Sequence, residues 1–153
     1  MNFFDLIRSG NLEEIKRQVD LDSSLVSKKD DKGFPPLIMA CYVDQPGVAE
    51  FLLSYGANIN ERDGAGNTAL MGVSFKGNTD IAELLIANGA DLDTQNFKGA
   101  TALIYAATFG QIEIAEILIK HGADTQVKDE HGKKAIEHAE FKGISKLIEI
   151  LKT

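Results

Sequence analysis

Asp63-Gly64-Ala65-Gly66-Asn67-Thr68-Ala69-Leu70 and Asn96-Phe97-Lys98-Gly99-Ala100-Thr101-Ala102-Leu103 are two versions of one phrase, set 33 residues apart. The period extends in both directions. Gly33, Gly66, Gly99 and Gly132 keep it, as do Leu37, Leu70, Leu103 and, conservatively, Ile136. A second set of markers runs in phase: Ala49-Glu50, Ala82-Glu83 and Ala115-Glu116; Leu52, Leu85 and Leu118; Gly56-Ala57, Gly89-Ala90 and Gly122-Ala123. Self-similarity at this period identifies a repeat architecture before any single element is assigned.

Each unit reads as two helices and a loop. Thr101 is placed as an N-cap for the helix-forming run that ends at Phe109, and Gly110 stops it in the manner of a left-handed C-terminal residue. Ile114, Ile117 and Leu118 put an apolar stripe on a second helix over Ile112–Lys120, which Gly122 ends. The polar stretch Ala123–Gly132 has turn chemistry, and Asp63-Gly64 is a strong tight-turn dipeptide one repeat earlier. Two helices and a loop cannot bury their apolar faces alone, so the units must stack into a slightly curved rod about 40–50 Å long.

The 33-residue period, the Asp/Asn-x-x-Gly-x-Thr-x-Leu start and the Gly-Ala-Asp/Asn after the second helix resemble the ankyrin repeat. The resemblance implies an all-α repeat solenoid of helix-turn-helix units joined by β-hairpins or loops. It covers the chain as one domain, 1–153. Residues 30–62, 63–95 and 96–128 are full repeats, 129–153 is a shortened C-terminal one, and 1–29 is a degenerate N-terminal capping unit. In that first unit Gly10-Asn11-Leu12-Glu13 parallels Gly77-Asn78-Thr79-Asp80, with one inserted residue and no Gly-Ala turn. Atypical ends are what a solenoid needs against fraying.

Two departures from the family pattern stand out. The histidine that links hairpin to helix in the family is missing, since its position holds Ile38, Met71, Ile104 and Glu137. Asp44 stands where other units have Gly77, Gly110 and Gly143, and Pro46-Gly47 follows, so the loop between the helices of that unit is expected to be distorted.

Composition bounds the function. Apolar residues at 44% and charged residues at 25% are ordinary globular usage. The single cysteine, Cys41, excludes an intramolecular disulfide and a cysteine-based metal cluster, and suits a reducing compartment. No basic, apolar leader opens the chain and no stretch nears the roughly 18 apolar residues of a membrane span, so the expectation is cytoplasmic with no membrane partner. The charge of −7 is concentrated in residues 30–62, with five acids against two bases, and 63–95, with five against one. Nucleic acid needs a basic patch and is excluded as a ligand on that ground. The excess favours a partner with a basic surface, unless these acids are turn and cap residues with local work.

No catalytic or cofactor site emerges. Nucleophile-elbow, phosphate-loop and dinucleotide signatures are absent. His121 sits at a helix end, His131 in a loop and His138 seven residues on, too sparse a set for zinc. Cys41 is in register with Ser74 and Ala107 and reads as a small buried residue. The expectation is no catalysis, no metal and no cofactor.

The resemblance implies that a partner meets the concave side, built from the loop tips and the first helix of each unit. Leu37, Ala40 and Cys41 share a core-facing side of that helix, whereas Ile38 and Tyr42 lie on another. The Tyr42 position holds Tyr42, Phe75, Thr108 and Phe141, and the next holds Val43, Lys76, Phe109 and Lys142. Every unit thus carries an aromatic at one of the two. Phe34 and Phe97 add rings at the loops, and Asp31, Lys32, Lys76, Lys98, Glu130, Lys133 and Lys142 give the stripe a mixed-charge rim. Such rings are rigid anchors for a protein partner; the competing reading folds them onto their own loops. The function that follows is stoichiometric protein binding by a chain monomeric when free: an inhibitor, an immunity-type neutraliser or an adaptor, with inhibitor preferred because one binding surface suffices. Self-association is the alternative; an enzyme or metal protein is a remote one.

Overall fold

The computed structural model describes residues 2–152; Met1 and Thr153, the ends of the expected domain, lie outside the described residues. The first unit comprises α1 (Phe3–Ser9) and α2 (Leu12–Leu21), followed by a 3-10 turn over Ser23–Ser27 where later units have Gly-Ala. Then come the pairs α3 (Pro36–Tyr42) and α4 (Pro46–Ser54), α5 (Ala69–Lys76) and α6 (Thr79–Ala87), α7 (Ala102–Thr108) and α8 (Ile112–Lys120), and α9 (Ala135–Lys142) and α10 (Ser145–Leu151). The first helices of successive units pack side by side from α1 to α9, and α6, α8 and α10 form part of a second, outer row. The architecture is the expected all-α repeat solenoid.

The markers of the period are its core. Leu52, Leu85 and Leu118 are fully buried on the outer helices, as are Ala49, Ala82 and Ala115 beside them. Leu37, Leu70 and Leu103 do the same for the inner row. Thr68 and Thr101 cap α5 and α7 as their sequence position requires, their Oγ1 atoms accepting from the amides of Met71 (3.3 Å) and Ile104 (3.1 Å). Asn11 and Asn78 cap α2 and α6.

Of the β-hairpins or loops expected between units, the loop form is taken: no strand occurs among the described residues. Instead Asp30, Asp63, Asn96 and Asp129 each fold a tight turn around one side chain. In each, Oδ1 accepts from the amides two and four residues on, at 2.8–3.0 Å. A short polar side chain that closes a turn in this way replaces the ladder a hairpin would need. Much of the acidity of residues 30–95 has the same explanation. Of its ten acids, Asp30, Asp44, Asp63, Asp91 and Asp93 accept hydrogen bonds from neighbouring turns or units.

The expected distortion at Asp44 does not occur. Asp44 adopts φ 59°, the left-handed conformation that Gly77, Gly110 and Gly143 take at the same place. Helix α4 then begins at Pro46, in step with α6 and α8. Aspartate tolerates this conformation better than most side chains, and Asn78 Nδ2 donates to its Oδ1 at 2.9 Å. Pro46 occupies a first-turn position where no amide is required. Asp44→Gly is therefore expected to stay within about 0.5 kcal/mol of wild type, whereas Asp44→Ala costs about 1–2 kcal/mol through left-handed strain and the lost inter-unit bond. Urea titration of the two variants side by side checks this; an Ala variant as stable as Gly contradicts it.

Candidate functional site

The sequence-expected rings sit on one face because α3, α5 and α7 stack in register. Gln45, Lys76 and Gln111 hold that stack by reaching back one unit to the final carbonyls of the preceding inner helix, at Arg8 (3.2 Å), Tyr42 (2.9 Å) and Phe75 (2.9 Å). Such carbonyls have no partner inside their own helix. The bond to Tyr42 also sets Lys76 Nζ 4.4 Å from the Tyr42 ring centroid, a cation–π contact.

Between α3, α5 and α7 lies a groove of about 640 Å³. Tyr42, Phe75, Tyr105 and Phe109 form much of its wall, with Ile38 and Met71 on the floor and Arg8, Asp63 and Asn67 supplying polar atoms. Phe75 and Phe109 meet edge to face at 4.6 Å, and Phe109 stacks on Tyr105 at 6.1 Å. The rings therefore support one another while keeping a face open, with Phe75 39% exposed.

The groove gathers Phe34, Tyr42, Val43, Phe75 and Phe109 from the expected set. Phe34 and Val43 line it while only partly exposed, packing also against the core. Asp31, Lys32, Lys98 and Lys142 are exposed but do not line the groove, and neither do Phe97 and Phe141. Phe97 lies along the preceding loop, its amide donating to Ala65 O at 3.1 Å and its ring passing so close to Gly66 that a Cβ there would clash. Phe141, at 94% exposure, stands clear of the other rings.

Sequence reasoning missed Arg8, Ile38, Met39, Asp63, Asn67, Thr68, Met71, Gly72 and Tyr105 as lining residues. Ile38 and Met71 share the concave side with Tyr42 and Phe75, yet they are buried and form the floor. The signal that could have found Tyr105 is its register with Met39, Gly72 and His138. Tyr105 Oη donates to Asn67 Oδ1 (3.2 Å) and accepts from Asn96 Nδ2 (3.0 Å), and His138 Nε2 meets Asp129 Oδ2 at 2.8 Å. These bonds tie loop to helix. The work of the missing family histidine has moved one residue along the chain in these two units.

The electrostatics are those of a scaffold. Burial raises the Asp129 carboxyl, but hydrogen bonds from the Lys133 amide, His138 and the His131 amide outweigh it and hold the group below its ordinary value. Burial pushes the Cys41 thiol up to about 12, leaving it protonated and unreactive. Among the described residues no group of three or more histidines, cysteines and acids is placed to hold a metal, and no helix is long and apolar enough to cross a membrane.

Known proteins match this architecture. A family model described as ankyrin repeats in three copies matches residues 62–129, and one described as a single ankyrin repeat matches 32–64. The human 26S proteasome non-ATPase regulatory subunit 10 is 37% identical over 62 residues, and its Mus musculus and Rattus norvegicus counterparts are 36% identical. Each alignment covers 40% of this chain and 27% of the relative's length. With the period, the stacked helix pairs and these matches in agreement, the chain belongs to the ankyrin repeat family and is a protein–protein interaction module.

Proposed function

We propose that the protein binds one protein partner stoichiometrically through the groove between α3, α5 and α7, acts as an inhibitor, and is monomeric when free. The observation that carries this reading is the Phe75–Phe109–Tyr105 cluster, an open apolar surface with Arg8 and Asp63 as its charged lining. Single rings scattered on a surface need no explanation, but mutually packed rings lining one concavity have the form of a binding anchor. Similarity to a proteasome regulatory subunit supports a stoichiometric role over a catalytic one. The net charge of −7 supports a partner with a basic surface. The whole of 1–153 works as one binding unit, in the cytoplasm, without catalysis or cofactor; neutraliser and adaptor are variants of the same activity.

Photo-crosslinking tests it. With benzoylphenylalanine in place of Phe75 or Phe109, a discrete partner adduct is expected in native cells. The same residue in place of Glu83 or Glu116 on the outer helices should yield none. Adducts from the outer positions alone would transfer the interface to the other face, and an adduct of twice the chain mass would favour self-association.

A further inference from the structure

The repeat itself indicates what the groove accepts. In the last two units the helix residue nine positions after the loop-closing Asp or Asn returns a ring with a polar tip to it: Tyr105 to Asn96, and His138 to Asp129. In the unit of α5 the same pair is Gly72 and Asp63. Asp63 uses Oδ1 to close its turn, and among the described residues nothing donates to its Oδ2. Gly72 contributes no side chain, and the space a side chain would take opens into the groove, walled by Tyr42, Phe75 and Tyr105. An added Cβ would meet nothing nearer than Tyr42 Cδ1 at 3.8 Å. The unit is therefore short of one aromatic ring and one hydrogen-bond donor at a place where the α7 and α9 units supply both; the α3 unit, with Met39 nine residues after Asp30, supplies neither.

We infer that the partner supplies them: a tyrosine of the partner polypeptide seats its ring in the Gly72 notch and donates its hydroxyl hydrogen to Asp63 Oδ2. This rests on the concave-groove reading above and names its central contact. Tyrosine fits better than a purely apolar anchor because the acceptor at the end of the notch is an anionic oxygen, and covering it without a donor would strand it. It fits better than a long cation because Arg8 and Lys76, the latter over the Tyr42 ring, already bring positive charge to this face. The neighbouring unit provides the precedent, with the phenol of Tyr105 wedged between two loop amides.

The probe is p-cresol, the tyrosine side chain as a free molecule, with toluene as the control lacking the donor. Both are titrated into isotope-labelled full-length protein and followed by NMR. Saturable shifts at Asp63, Gly72 and Phe75 are expected, with p-cresol binding at least about tenfold more tightly than toluene, the ratio of one hydrogen bond to a charged acceptor. Asp63→Asn keeps the loop, since Asn96 closes the same turn in the next unit, and turns the acceptor into a donor to the phenol oxygen, as Asn96 Nδ2 is to Tyr105. The analogue 4-methylanisole, which accepts but cannot donate, should bind that variant as well as p-cresol does, and wild type no better than toluene does. Gly72→His should fill the notch from within, as His138 does, abolishing p-cresol shifts while raising the melting temperature. Gly72→Leu, which fills the space without a donor, should block the probe with a smaller rise. Equal binding of p-cresol and toluene, wild-type binding of 4-methylanisole as tight as that of p-cresol, or shifts centred elsewhere would each overturn the inference. Phe75 crosslinking that persists in the face of such a result would leave the concave interface standing and remove only the tyrosine.

Discussion

Leu85→Ala is expected to lower stability by about 2–5 kcal/mol, the largest single effect in the molecule. Leu85 is fully buried on α6, in register with Leu52 and Leu118 on the helices to either side. Truncation removes the transfer free energy of its lost atoms and leaves a cavity that the stack cannot close without moving two interfaces. Stability in a solenoid is close to a sum of unit and nearest-neighbour contributions. The equivalent truncation at the end, Leu151→Ala in α10, borders one described neighbouring unit and should therefore cost less, although Leu151 is also buried. Urea unfolding followed by circular dichroism gives both numbers. A Leu85→Ala loss below about 1 kcal/mol would mean that the stack relaxes freely around the gap, contrary to the density of packed interiors.

Phe75→Ala is expected to weaken partner binding by about 2 kcal/mol or more, a factor of roughly 30. Its ring lies at the centre of the groove and fixes Phe109 edge to face at 4.6 Å, so truncation removes an anchor and frees its neighbour. Phe141→Ala is the matched control. That ring is the most exposed in the described chain and touches no other, so its loss should change affinity by less than about threefold under the same conditions. The aromatic pair also stabilises the fold by about 1 kcal/mol. Affinity, measured by calorimetry with the crosslinked partner once purified, must be compared well below the melting temperature of each variant. If Phe141→Ala proves the more damaging, the contact surface lies toward the C-terminal units and the groove is bystander surface.

The two rings differ although the repeat treats them alike. Tyr42, Phe75, Thr108 and Phe141 occupy one register position, and no property of that position separates Phe75 from Phe141. What separates them is the next unit. Phe75 has Phe109 one unit on to lean against, while no described unit stacks beyond α9 and α10. The Asp44 loop shows the opposite. The sequence rule there expected distortion, but an aspartate in the left-handed region and a bond from Asn78 restored the geometry of glycine.

The period alone determined the helix pairs, their order, the buried leucines and the face on which rings would collect, because a 33-residue repeat with these markers leaves one way to bury every apolar stripe. Cap chemistry is similarly local, and Thr101 and Gly110 act as their neighbours in the chain dictate. Only the tertiary structure decided which rings share a groove, that Ile38 and Met71 are its floor, and that Gly72 and Asp63 line it together. Those facts depend on atoms about 30 residues apart brought within van der Waals reach, and such contacts are set by side-chain packing across units, which periodicity does not encode.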